Sequence, residues 1–209
     1  MKLGWPPYSY DPVRANHLDI LNVDAGPLAA LPRTPWATIA AEITRRCFGD
    51  SAAIDANLNV AEGLYQFASE RNLIGRRHEF YSFAIGIATK VKYWSPLVVA
   101  IDDQPVVPFM DFRRTKKLTA EGRRFVFSMM NEHIRLADPD FAGVRLAILQ
   151  FANSKGGIRP VISHFDDEVH LWGMADLQEM IRETYELWYE ILDDRAAEAR
   201  RSAGKGPLI

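Results

Sequence analysis

The sequence predicts an α+β fold: a mixed, largely antiparallel sheet of about five strands, with N-terminal helices, a central helix and a long C-terminal helix. Three observations carry this expectation. Apolar residues recur at helical spacing through much of 36–93 and again after Met174. Between these stretches the pattern changes to short runs rich in β-branched residues, beginning at Pro96-Leu97-Val98-Val99. The runs are separated by turn chemistry such as Asp102-Asp103-Gln104-Pro105, which favours hairpins over crossovers.

Residues 1–35 contain prolines at 6, 7, 12, 27, 32 and 35. Proline fixes φ and lacks an amide donor, so this stretch is expected as an extended arm, tied to the body by Leu18, Ile20, Leu21 and Val23. Thr34-Pro35-Trp36 starts a helix with Thr34 as its N-cap; Ile39, Ala40, Ile43 and Cys47 share a face, and Gly49 stops it. Asp50 or Ser51 caps the next helix, which carries Ile54, Leu58, Ala61, Leu64, Tyr65 and Ala68. Glu79 to about Lys92 repeats the helical spacing at Phe80, Phe83, Ala84, Ile87 and Val91 and is expected as a third helix, although Ile85-Gly86-Ile87 also supports a strand.

A hairpin follows, Pro96–Ile101 and Val106–Phe112, with Pro108 requiring an edge or a bulge. Thr119 and Glu121 open the central helix, with Phe125, Val126, Met129, Met130, His133, Leu136 and Ala137 on one face, ended by Asp138-Pro139. Strands are expected at 146–151, 158–165 and 169–172, with turns at 153–157 and 166–168. The final helix, from about Met174, places Leu177, Ile181, Thr184, Tyr185, Trp188, Ile191 and Leu192 toward the sheet. The expected organisation is therefore an arm (1–35), one α+β domain (36–201, helical to 93 and sheet-containing from 94) and a frayed tail (202–209). The alternative is a helical subdomain, 34–93, docked on a separate sheet domain.

Composition narrows the function classes. The chain is 48% hydrophobic and 11% aromatic, which excludes global disorder. Its one cysteine, Cys47, excludes an internal disulfide framework. Pro6 and Pro7 interrupt any signal-peptide core, and no apolar run approaches the ~20 residues of a membrane span. The cytoplasm is the expected compartment. A net charge of -2 argues against a protein that coats nucleic acid, though not against a local basic patch.

Three constellations carry candidate chemistry. Asp102, Asp103 and Asp111 lie on or beside paired strands, and Arg113 shares a strand face with Asp111, two residues away. Carboxylates that converge there would hold a divalent ion such as Mg²⁺. Residues 97–152 thus loosely resemble metal-dependent nucleases whose core has an acid on one strand and an acid-x-lysine pair on the next. The resemblance implies Asp102, Asp103 and Asp111 as ligands and Arg113 as charge stabiliser, with arginine standing where that family has lysine. Arg114, Lys116, Lys117, Arg123 and Arg124 surround the start of the central helix, whose exposed amides favour phosphate, as in a nucleic-acid backbone or a phosphorylated ligand. His164, Asp166 and His170 flank an acidic turn at spacings that could begin a zinc or iron site. Each has a plainer account: turn chemistry, a solvated basic loop and a surface turn.

No motif passes a strict test, so a non-catalytic binding or assembly protein is the favoured expectation, with a metal-dependent enzyme acting on nucleic acid or another phosphate-containing substrate as the alternative. The apolar arc of the last helix adds an expected homodimer contact.

Overall fold

The computed structural model describes residues 9–23, 32–80, 83–84, 90–91, 95–154, 157–167 and 169–203. Pro12 sits in the first turn of a helix, where its missing amide costs nothing, and Asp11–Leu21 forms α1. The arm is therefore not extended through this segment. A single proline at a helix start is compatible with the helix that six prolines spread over 35 residues seemed to forbid. Val13, Ile20 and Leu21 are fully buried, with α1 against the two helices that follow, α2 (Trp36–Arg46) and α3 (Ser51–Glu70).

Asp50 caps α3, its carboxylate accepting the Ala53 amide at 3.1 Å. Thr34 does not cap α2: Pro35 holds the cap position, and the Thr34 hydroxyl donates to Asp19 at 3.4 Å. Gly63, inside α3, has a packing reason. A Cβ there would lie 1.9 Å from the Arg159 carbonyl oxygen, because the chain at 159–160 lies directly on the helix.

The third expected helix is not found. Phe83–Ala84 (β2) pairs antiparallel with Lys90–Val91 (β3), and the rest of 81–94 lies outside the described residues. Upstream, Ile74–Arg77 forms β1, a strand too short and too polar to show a sequence period. Gly75 lets it approach its neighbour, since a Cβ would meet the Val98 carbonyl oxygen at 2.8 Å.

The main sheet contains β1, β4 (Leu97–Ile101), β5 (Gln104–Asp111), β6 (Arg145–Phe151) and β7 (Val161–Phe165), in the order β1-β4-β5-β6-β7. All neighbours are antiparallel except β5 and β6, which α4 (Ala120–Met130) connects as a crossover. Pro108 is accommodated in a central strand because β4 pairs with β5 only as far as Val106. Thr119 caps α4 through the Gly122 amide, and one π-helical turn, Asn131–Arg135, extends it. The fifth strand is thus β1: Val169–Trp172 is not a strand. Side chains of α4 take its backbone groups instead, Ser128 Oγ accepting the Trp172 amide at 2.9 Å and Arg124 donating to the His170 carbonyl.

Alternation along β6 divides the interior. Ala147, Leu149 and Phe151 join a core shared with α1, α2 and α3, whereas Leu146 and Ile148 join Val126, Phe127, Met130 and Ile134 beneath α4. The N-terminal helices and the sheet thus share buried contacts.

α5 (Met174–Ala203) spans about 45 Å at 1.5 Å per residue. Only its beginning docks, against α4, with Leu177 fully buried. The outer part of the apolar arc expected to lie on the sheet is uncovered: Trp188, Ile191 and Leu192 are 38–47% exposed, and Leu187 and Tyr189 beside them are exposed as well.

Candidate functional site

The acids of the expected metal site do not meet. Asp102 and Asp103 form the two-residue β4–β5 turn, both at positive φ (51° and 61°), the pairing that a tight hairpin demands. Asp111 stands at the far end of β5, about 26 Å away along the strand at ~3.3 Å per residue. A metal with oxygen ligands at ~2.0–2.6 Å cannot join them. Among the described residues, no group of three or more His, Cys, Asp or Glu is placed to hold a metal ion.

Asp111 has a different task. It is 3% exposed and accepts from Arg113 Nε at 2.6 Å, Arg113 Nη2 at 3.1 Å, the Leu118 amide at 2.9 Å and Gln150 Nε2 at 2.9 Å. Burial alone pushes this carboxyl up; the donors from Arg113, Leu118 and Gln150 outweigh it and hold the pKa below its ordinary value. These bonds fix the 112–118 loop to β6. A carboxylate occupied in this way is an organiser of a loop.

The basic residues are also largely committed. Lys117 donates to the Phe151 carbonyl, and its pKa is lowered by burial and then by the charge of Arg159. Arg123 donates to the Leu118 carbonyl at 3.2 Å, and the Arg124 guanidinium lies 3.9 Å from the Trp172 ring centre. Arg124 therefore secures the segment leading into α5. Lys116 occupies a positive-φ turn (51°), and Arg114 borders a cavity of about 270 Å³ with Tyr10, Asp55, Asn59, Ser154 and Arg159. That volume falls below the ~300–1,000 Å³ of ordinary ligand pockets.

Nor do His164, Asp166 and His170 form a ligand set. Asp166 is buried, pairing with Arg135 at 2.6 Å and accepting the Leu146 amide at 3.0 Å. His164 lies on β7 with its pKa lowered by burial and then by Arg123, whereas His170 is exposed.

Two features went unremarked in the sequence. Arg159 is 4% exposed and donates to the Ala152, Phe112, Arg113 and Phe151 carbonyls and to the Tyr10 hydroxyl, at 3.1–3.3 Å. It joins the N-terminal region to the ends of β5 and β6, and nothing in its local sequence marks it. The second is Phe48, between α2 and α3, with 96% of its surface exposed at a φ of 51°. A phenylalanine immediately before Gly49 at a helix end was the available signal.

Asp111, Asp166, Lys117 and Arg124 thus lie within structural networks, while several large apolar side chains face outward. Comparison with known proteins matches residues 1–198 to the family described as "Sliding clamp-binding bacterial toxin SocB". The chain is also 35% identical over 205 residues to the "DNA replication inhibitor toxin SocB" of Caulobacter vibrioides (strain NA1000 / CB15N), covering 98% of this chain and 85% of that protein. The chain belongs to the SocB family. No solved structure matches it. The SocB match covers residues 1–198, from β1 through β7 and into α5, so it takes in both the Asp111 network and the outward-facing apolar residues. Among the described residues of this SocB-family chain, no helix is long and apolar enough to cross a membrane.

Proposed function

We propose that this protein is a non-catalytic inhibitor of bacterial DNA replication that acts in the cytoplasm by binding the sliding clamp. The observation that carries the reading is the family match over residues 1–198, supported by the relative at 35% identity. The shape of the molecule favours a protein partner over a small substrate. Asp111, Asp166, Lys117 and Arg124 serve internal contacts, whereas Phe48 and the outer half of α5 offer apolar surface. Interfaces of ordinary size bury ~800 Å² on each partner and are anchored by a few large side chains. The same commitments weigh against nucleic acid as the partner, because phosphate contacts need free cations.

Two measurements test this. The purified chain and a purified bacterial sliding clamp should co-elute in size-exclusion chromatography, and the chain should inhibit clamp-dependent primer extension in vitro. Excess clamp should relieve that inhibition. A chain that does not bind the clamp, or whose inhibition persists undiminished when clamp is added, overturns the reading.

A further inference from the structure

Beyond its first turns, α5 leaves the body of the molecule. Leu177 is fully buried and Ile181 and Tyr185 are half-buried, but from Glu186 to Arg201 every residue except Ala197 is exposed. A free helix of this length is marginal in water, and most helices are held by the packing of an apolar face. The surface ion pairs of Arg182 with Glu179 and Glu186 add little to that. An apolar face is present. Leu177, Ile181, Trp188, Leu192 and Ala199 form one stripe, within about 60° of arc at ~3.6 residues per turn. α4 packs on the start of the helix, where Leu177 is buried, whereas Trp188 and Leu192 further along are exposed. The stripe is asymmetric. Tyr185, Trp188 and Leu192 make its first half large, and Ala196, Ala199 and Ala203 make its second half small. Charge divides in the same way: residues 179–193 contain five acids and one arginine, and residues 195–201 three arginines and one acid.

We infer that the outer part of α5 is the contact surface for a second copy of this chain, the two helices lying antiparallel from about Glu186 onward. That orientation sets the large half of each stripe against the small half of the other, so the rings fill the space that the alanines leave. It also sets the acidic stretch of each helix against the arginine-rich end of its partner. A parallel pair would do the reverse, stacking ring on ring and placing arginines beside arginines. Antiparallel pairing separates the two bodies as well. α4 packs against the base of each helix, so two bases side by side would bring both copies of α4 into one space. The overlap of one helix face, about 27 Å long, lies at the low end of interface size, below ~1,200 Å² in total. The expected dimer therefore dissociates in the micromolar range, and its formation requires no clamp.

The test uses the full-length chain without clamp. In sedimentation velocity from about 1 to 200 µM, a range that brackets micromolar dissociation, the mass should rise from 23.7 kDa toward twice that value. Leu192→Glu and Trp188→Ser should each weaken association at least ~30-fold, the loss that removal of a hot-spot side chain produces. Both should keep the wild-type Tm in dilute solution. Orientation is read by cross-linking in a Cys47→Ser background. Thr184→Cys chains mixed with Ala199→Cys chains should join through a short bis-maleimide, and Ala199→Cys chains alone should not. A wild-type chain that stays monomeric to the highest concentration overturns the inference. So does a Leu192→Glu chain that dimerises as the wild type does, since the contact then lies elsewhere, or Ala199→Cys chains that join one another. A lowered Tm of both variants in dilute solution also overturns it, by showing that the stripe packs within its own chain. A chain that dimerises as expected yet does not bind the clamp removes the clamp reading alone.

Discussion

Asp111 and Phe48 invert the usual assignment of polar and apolar residues. Asp111 carries a charge and is 3% exposed, whereas Phe48 is aromatic and 96% exposed. Asp111 accepts from Arg113, Leu118 and Gln150, which fix the loop after β5, so its chemistry is consumed by the fold. Phe48 makes no comparable use of its ring and sits at a strained φ of 51°. The difference teaches that a charged residue can belong to the scaffold of this protein while an aromatic one stands outside its core.

The largest expected effect is at the first of these residues. Asp111→Ala should cost about 3 kcal/mol in urea unfolding, because Arg113, Gln150 and the Leu118 amide lose their acceptor together. Arg113 is half exposed, and water can take over part of its hydrogen bonding, which keeps the cost toward the low end. A loss under about 1 kcal/mol, well below what an orphaned buried group costs, would show that the network is dispensable. Gly63→Ala should follow at about 2 kcal/mol, since the added methyl meets the Arg159 carbonyl oxygen and the chain must shift, although alanine is the better helix former.

Acid sharpens the comparison in two windows. His17, His133 and His164 have pKa values lowered from 6.5, in each case first by burial. For His17 the neighbouring charge of Arg77 adds to this, and for His164 that of Arg123. The unfolded chain therefore binds protons first, and stability falls as pH drops below 6.5. Asp111 acts lower: its contribution is complete above 3.8, its unfolded value, and is lost as pH falls through the depressed folded value. Thermal melting from pH 8 to pH 3 should show both declines, and the lower one should be reduced in Asp111→Asn. A Tm flat across the upper range would remove the histidine contribution.

Smaller effects belong to the exposed apolar set. Phe48→Gly should raise stability by about 1 kcal/mol through relief of the left-handed strain, measured by urea unfolding. Trp188→Ser should change the stability of the dilute, monomeric chain by less than ~0.5 kcal/mol, because no core depends on that ring. A large loss there would mean that α5 packs against something further along its length.

Legibility followed the range of the interactions. α2, α3, α4 and α5 were readable because their apolar residues recur every three or four positions, and Asp50 and Thr119 serve as the caps their types suggest. The β4–β5 hairpin was readable from Asp102-Asp103. Phe83-Ala84 and Lys90-Val91 were misread because a short apolar run fits either period, and Val169–Trp172 because its hydrogen bonds go to Ser128 and Arg124 instead of a strand. The candidate site was less legible than the fold. Asp111 and Arg113 do pair, at 2.6 Å, but the partners that give the pair its meaning are Leu118 and Gln150. The expectation of a binding protein agrees with membership of a family described as clamp-binding, yet nothing in residue types pointed to the clamp.

By itself, then, the sequence determined the α+β class, most helices and the central hairpin, since these depend on periodicity and on turn and cap chemistry within a few residues. Tertiary structure alone decided that β1 completes the sheet, that Arg159 joins Tyr10 to the ends of β5 and β6, that the acids of 102–111 lie far apart, and that Phe48 faces outward. The physical reason is that burial and hydrogen-bond partnership are properties of pairs distant along the chain. Tyr10 and Arg159, linked at 3.1 Å across 149 positions, leave no local pattern from which either could be recognised.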